Sequence, residues 1–153
     1  MRILIVEDDE NKRAQLDAFV REYLGSKDVV EAKSYHSALA AIKEYKCDII
    51  ILDMTMPTYD ITADEDGGRP QHYAGREIMR QLGRSGVGTP VVIVTQLDVF
   101  GEGASALTRS QLEAQLNAEH GHNYLGMVYY NPATDGWKNE LSNKLSFLLE
   151  KEG

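Results

Sequence analysis

The feature that most constrains this chain is an alternation. Short continuous apolar runs take turns with segments whose apolar residues recur at helical spacing. Ile3–Val6, Ile49–Leu52 and Val91–Thr95 are runs of strand length, the pattern of strands covered on both faces. Asp28–Ala32 carries Val29 and Val30 and reads as a further strand, and Leu125–Tyr130 as a fifth. Between them, Leu16, Phe19, Val20, Tyr23 and Leu24 lie on one helical face, stopped by Gly25-Ser26. Ser34 caps a helix with Ala38, Ala41, Ile42 and Tyr45 inward. Another helix runs through Ile78, Met79 and Leu82, and Pro90 opens the fourth strand. Ser110 to Glu113 reads as a capping box. The last helix buries Trp137, Leu141, Leu145, Leu148 and Leu149. Five strands alternating with five helices predict an α/β fold, a doubly wound five-stranded parallel sheet with helices on both faces.

Composition narrows the class. The 153 residues, 42% hydrophobic, suit one domain over 1–153. Lys plus Arg number 16 against 24 Asp plus Glu, a net charge of −8. That balance argues against nucleic acid, whose phosphates call for clustered Lys and Arg. The single cysteine, Cys47, rules out an internal disulfide framework and reads as a buried small hydrophobe. No apolar run reaches the length of a signal peptide or membrane span, so the expectation is a cytoplasmic protein.

In such folds ligands sit beyond the carboxyl ends of the strands. Strand one ends in Glu7-Asp8-Asp9 and strand three in Asp53. If the two strands are neighbours, their carboxylates repel, and a divalent cation resolves the conflict. Mg2+, which takes one or two carboxylates with water and phosphate oxygens, suits an open strand-end site. A metal beside a carboxylate also suits aspartyl phosphorylation, because it neutralises the incoming phosphoryl group. Thr95, ending strand four, offers a hydroxyl to a phosphoryl oxygen. Asp9 reads as a solvated acid at a helix start.

These motifs resemble the receiver domains of two-component response regulators, which have a flavodoxin-like fold. The matching stretches are Ile3-Leu-Ile-Val-Glu-Asp8, Asp53-Met-Thr-Met-Pro57, Pro90-Val-Val-Ile-Val-Thr95, Asn131-Pro132 and the basic Arg13. The resemblance makes Asp53 the phosphoacceptor, Asp8 a direct metal ligand and Glu7 a water-mediated one. The backbone carbonyl of Thr55 completes the protein's share, and Thr95 follows the phosphoryl group on activation. It implies a histidine kinase or phosphotransfer protein as donor and a downstream protein partner, with no nucleic acid and no membrane. The chain as read ends one helix past the last motif, so a stand-alone regulator rather than an enzyme is expected.

Three positions depart from the family pattern. Asn131 stands where a lysine normally pairs with the phosphoryl group, and Lys138 is a candidate substitute. Gln96 follows Thr95 where a small residue is usual. Val128 holds the place of the switch aromatic, with Tyr130 on its face by strand alternation. Two alternatives follow: a degenerate pseudo-receiver that only binds partners, and a haloacid-dehalogenase-type phosphohydrolase. The latter wants an aspartate where Thr55 stands.

Other features read plainly. Asp64-Glu65-Asp66-Gly67 fails as a calcium loop, since Thr62 and Tyr73 fall where ligands belong. His72, His120 and His122 read as exposed loop residues. Tyr124, Tyr129, Tyr130 and Trp137 suggest aromatic surface near the last strand. Two stretches, about 58–74 and 96–109, exceed the family pattern and flank Asp53. Both are expected to form a lid or a partner-contact rim.

Overall fold

Apolar runs with no polar face can be satisfied only between two layers, and that is where they lie. In the computed structural model, which describes residues 1–64 and 66–152 (for 151 and 152 the backbone alone), five parallel strands form the central sheet. Glu65 of the acidic loop and the final Gly153 lie outside the described residues. The elements are β1 (Arg2–Val6), α1 (Glu10–Leu24), β2 (Asp28–Ala32), α2 (Tyr35–Glu44) and β3 (Ile49–Leu52). Then come β4 (Met56–Pro57), β5 (Pro70–Gln71), α3 (Ala74–Arg84), β6 (Val91–Thr95), β7 (Val99–Phe100) and β8 (Leu107–Thr108). The chain closes with α4 (Arg109–His120), β9 (Tyr124–Tyr129) and α5 (Gly136–Glu152). The sheet order is β2-β1-β3-β6-β9, the flavodoxin-like arrangement.

Strand alternation divides the core in two. Leu4, Val6, Ile50, Leu52, Val91 and Ile93 face α2, α3 and α4, packing on Ala38, Ile78, Met79 and Leu112. Ile3, Ile5, Ile49, Ile51, Val92 and Val94 face α1 and α5, packing on Leu16, Val20, Leu141 and Leu145. Tyr130 and Trp137 belong to this second core, their ring centroids 5.1 Å apart.

Both long stretches acquire structure that composition does not announce. Each is pinched by a two-residue antiparallel ladder, β4 with β5 and β7 with β8. The capping box of α4 also falls two residues earlier than Ser110–Glu113. Thr108 and Gln111 exchange the reciprocal bonds, because Glu113 turns inward to accept from the Met127 amide.

Candidate functional site

The crevice at the end of the sheet follows from topology. From β1 the chain passes through α1 to β2 on one side, and from β3 it passes through α3 to β6 on the other, so the two connections diverge above the carboxyl ends of β1 and β3. Val6 pairs with Leu52, and the Asp53 amide donates to the Val6 carbonyl at 3.1 Å. This register brings Glu7, Asp8 and Asp53 together, with carboxylate oxygens within 4.8 Å of one another. Asp8 is exposed, the Asp53 side chain is 15% exposed, and Glu7 is 2% exposed. No other trio of His, Cys, Asp or Glu among the described residues is placed to share a metal ion.

The loop between β1 and α1 is held in shape by its neighbours. Asp9 is the N-cap of α1: its side chain accepts from the Asn11 and Lys12 amides, and its own amide donates to Glu7 Oε1. It is thus a structural cap and more than a solvated acid. Buried Arg13 donates to the Glu7 and Asp8 carbonyls and pairs with Glu31. Asp53 Oδ1 accepts from the Met54 amide at 2.7 Å, and Oδ2 lies 3.2 Å from the Lys12 ammonium.

One residue at the site escapes a sequence reading. Lys12, 2% exposed, puts Nζ 2.7 Å from Glu7 Oε2 and 3.2 Å from Asp53 Oδ2. It also donates to the Val94 carbonyl at 2.7 Å, with the Tyr130 ring 5.7 Å away. Burial pushes the Glu7 carboxyl up to about 8, against the pull of Lys12. Burial also opposes the charge on Lys12, but Asp53 and Glu7 outweigh it and the ammonium is held above its ordinary value. Lys12 is therefore held charged between Glu7 and Asp53. The available signal was spacing: Lys12, Leu16, Val20 and Leu24 form one buried stripe.

The remaining site residues fall as follows. Thr95 is fully buried, and its Oγ1 accepts from the Leu97 amide at 3.1 Å. Thr55 is half-buried, and its hydroxyl donates to the His72 carbonyl. Asn131 is exposed and turned into its own turn, where Oδ1 accepts from the Ala133 amide. Lys138 does not substitute for a site lysine, because its Nζ lies 3.4 Å from Asp135 and over the Trp137 ring. Gln96 is exposed, while Val128 is buried on the same face as Tyr130.

Four burial expectations are corrected, the first being Leu149 of α5, which is 39% exposed where the helical spacing placed it inward. Tyr124, Tyr130 and Trp137 are core residues, and of the four aromatics only Tyr129, 38% exposed, faces solvent, beneath Arg109. His120 ends α4 and is buried rather than looped out. Cys47 is half-buried and precedes β3 rather than opening it.

The two long stretches attach to different helices. The first leans on the start of α2: Ser34 Oγ donates to Asp60 Oδ1 and the His36 amide to the Thr58 carbonyl. The second is pinned beside α3, where the Tyr73 hydroxyl lies 2.8 Å from both the Phe100 and Ser105 carbonyls. Tyr59 and Ile61 on the first, and Leu97 and Val99 on the second, are exposed.

A parallel sheet in this order, with three acids at its switch point and a buried threonine ending the next strand, defines a receiver-type α/β domain. The comparisons agree. Residues 3–116 match the response regulator receiver domain, and the chain belongs to that family, a signalling module of two-component systems. It is 33% identical over 150 residues to the Detocs response regulatory protein DtcB of Enterobacter cloacae (strain JD6301), covering 97% of this chain and 100% of that one. It is 32% identical to the uncharacterized protein y4jR of Sinorhizobium fredii (strain NBRC 101917 / NGR234), over 94% and 95% of the two chains. Among solved structures, the Francisella response regulator 1452 receiver domain superposes with a TM-score of 0.59 at 20% identity, covering 99% and 98%. Response regulator protein TrrA from Thermotoga maritima, in complex with Mg(2+)-BeF, gives 0.58 at 17% identity, covering 94% and 98%. These structures share the fold. Receiver domains work through kinases or other protein partners, and among the described residues no helix is long and apolar enough to cross a membrane.

Proposed function

We propose that this chain accepts a phosphoryl group on Asp53 in a Mg2+-dependent reaction and passes the signal on by protein contact. The observation that carries the reading is the placing of Asp53 beside Glu7 and Asp8 at the switch point, with carboxylate oxygens within 4.8 Å. The donor set fits a hard cation. Asp8 and Asp53 both reach solvent, as a largely hydrated ion requires, and the Thr55 carbonyl is the third protein oxygen in this reading. Glu7 acts through water or through Lys12. TrrA, which shares the fold, has been solved in complex with Mg(2+)-BeF, and a cation at this end of the sheet is in keeping with that.

In the reaction, Asp53 Oδ2 attacks phosphorus. The P–N bond of a phosphohistidine on a kinase or phosphotransfer protein breaks, and the departing imidazole recovers a proton. The cation's contribution is to neutralise charge on the phosphoryl oxygens. Thr95 Oγ1 already accepts from Leu97, so its own proton remains to be donated to a phosphoryl oxygen. The exposed apolar residues Tyr59, Ile61, Leu97 and Val99 are the part of the rim offered to a partner. The reading implies a cytoplasmic location and a signalling role rather than an enzymatic one.

Intact mass after incubation with Mg2+ and acetyl phosphate tests it. One added phosphoryl group that is absent from Asp53→Asn is the expected result. No gain with acetyl phosphate or with any histidine kinase rejects it. A second reading, a pseudo-receiver that only binds partners, draws on Asn131, whose side chain is committed to its own turn.

A further inference from the structure

A buried lysine needs a reason. Lys12 heads a stripe completed by Leu16, Val20 and Leu24, where an apolar side chain would pack without any cost of desolvation. Buried ion pairs are seldom more stabilising than well-packed apolar residues, so packing alone does not call for a lysine. What distinguishes the position is its reach. From α1 the side chain crosses the crevice, and its Nζ ends 3.2 Å from Asp53 Oδ2, 2.7 Å from Glu7 Oε2 and 2.7 Å from the Val94 carbonyl. Among the described residues it is the cation paired with Asp53. Asn131, at the end of β9, contributes no charge, and Lys138 is engaged with Asp135.

We propose that Lys12 is the phosphoryl-binding lysine of this receiver, supplied by the first helix instead of the loop after the last strand. The inference rests on Asp53 as phosphoacceptor. Transfer forms the Asp53 Oδ2–P bond and breaks the donor's P–N bond, or the P–O bond of acetyl phosphate. The carboxylate charge is lost and new charge appears on the phosphoryl oxygens. The ammonium, already 3.2 Å from the attacking oxygen, exchanges that partner for them. In the resting protein the same ammonium competes with a divalent cation for Glu7 and Asp53. Its other contacts carry the change outward. Val94 adjoins Thr95, and the Tyr130 ring over Nζ packs on Trp137, the chain's single tryptophan.

The test is calorimetric titration of wild type and Lys12→Met with Mg2+ alone, then with beryllofluoride in saturating Mg2+, with Trp137 fluorescence read alongside. Lys12→Met is expected to bind Mg2+ at least as tightly as wild type. Its beryllofluoride affinity is expected to fall about ten- to one-hundred-fold, the loss of one charge-assisted hydrogen bond. Equal beryllofluoride affinity in the two proteins overturns the proposal. So does a parallel fall in both affinities, which marks a merely structural lysine. Should Lys12→Met fail to fold, the Lys12 ammonium resonance of 15N-labelled wild type decides. It shifts with beryllofluoride if the proposal holds, and an unmoved resonance overturns it. A wild type that neither binds beryllofluoride nor gains mass at Asp53 defeats the phosphoacceptor reading itself, and this inference with it.

Discussion

Two glycines in one helix give opposite answers to the same substitution. Gly75 lies in the first turn of α3, and its amide donates to the Met54 carbonyl at 2.9 Å. A Cβ there would lie 2.6 Å from Leu52 Cδ1, 2.8 Å from the Asp53 carbonyl oxygen and 3.1 Å from Met54 Cα. Two of those three atoms are backbone, and Leu52 is fully enclosed, so no rotamer relieves the contact. Gly75→Ala must lift α3 from the β3 end or push Asp53 aside. Overpacking of this kind costs about 1–3 kcal/mol, against a helix-propensity gain of at most about 1 kcal/mol. Because two of the atoms met are backbone, the cost falls at the upper end of that range and the net loss is about 2 kcal/mol, or roughly 4–8 °C in Tm for a chain of this size. Gly83, about two turns further along α3, is exposed, and a Cβ there would meet nothing within 4 Å. Gly83→Ala is expected to gain about 0.5 kcal/mol. Urea unfolding monitored at Trp137 measures both, with unchanged m-values as the sign of comparable transitions. Because the clash lands on the Asp53 carbonyl, labelling by acetyl phosphate should slow in Gly75→Ala and not in Gly83→Ala. A Gly75→Ala protein as stable as wild type, or two variants shifted in the same direction, would refute the close-approach argument.

Two further outcomes follow from groups away from the carboxylates. Burial lowers the His120 pKa; Glu119, 3.7 Å away, raises it, and His122 and Arg80 lower it further. The fold therefore favours neutral His120. Its contribution to stability is present above about pH 6.5 and lost as pH falls through the lower folded value. His120→Gln should flatten the loss of urea midpoint between pH 7.5 and 5, and an unchanged slope would count against the assignment. Tyr73→Phe removes the hydroxyl that meets the Phe100 and Ser105 carbonyls. It should cost about 1 kcal/mol and speed amide exchange across 99–108 while leaving 56–71 as it was; unaltered exchange there would show that the hairpin holds itself.

What the chain displays in its letters depends on how many faces an element must satisfy. β1, β3 and β6 are enclosed on both sides, so their burial demand is written as uninterrupted apolar runs, and Ile49–Leu52 and Val91–Thr95 have the bounds the sequence suggests. β9 lies one residue before its expected bounds at both ends, and it carries a bulge at Leu125, since Val91 and Val92 pair with Tyr124 and Gly126, the glycine taking φ 128. The capping box was ambiguous for a chemical reason: Thr108–Gln111 and Ser110–Glu113 both satisfy the pattern, and only the tertiary pull of Met127 on Glu113 decides between them. The two-residue ladders are too short to carry a period at all. At the site, the acids were legible because each ends an apolar strand, and the strand order makes neighbours of them. The lysine among them was not, because charge on a helix ordinarily marks the solvated face. Only its spacing from Leu16, Val20 and Leu24 sets it inside. A charged residue in step with a buried stripe is costly in any fold, so it needs an opposite charge at the depth it reaches. Three acids at the adjoining strand ends, 4.8 Å or less apart, are that charge. The stripe and the acidic strand ends are therefore two halves of one constraint, and each accounts for the presence of the other.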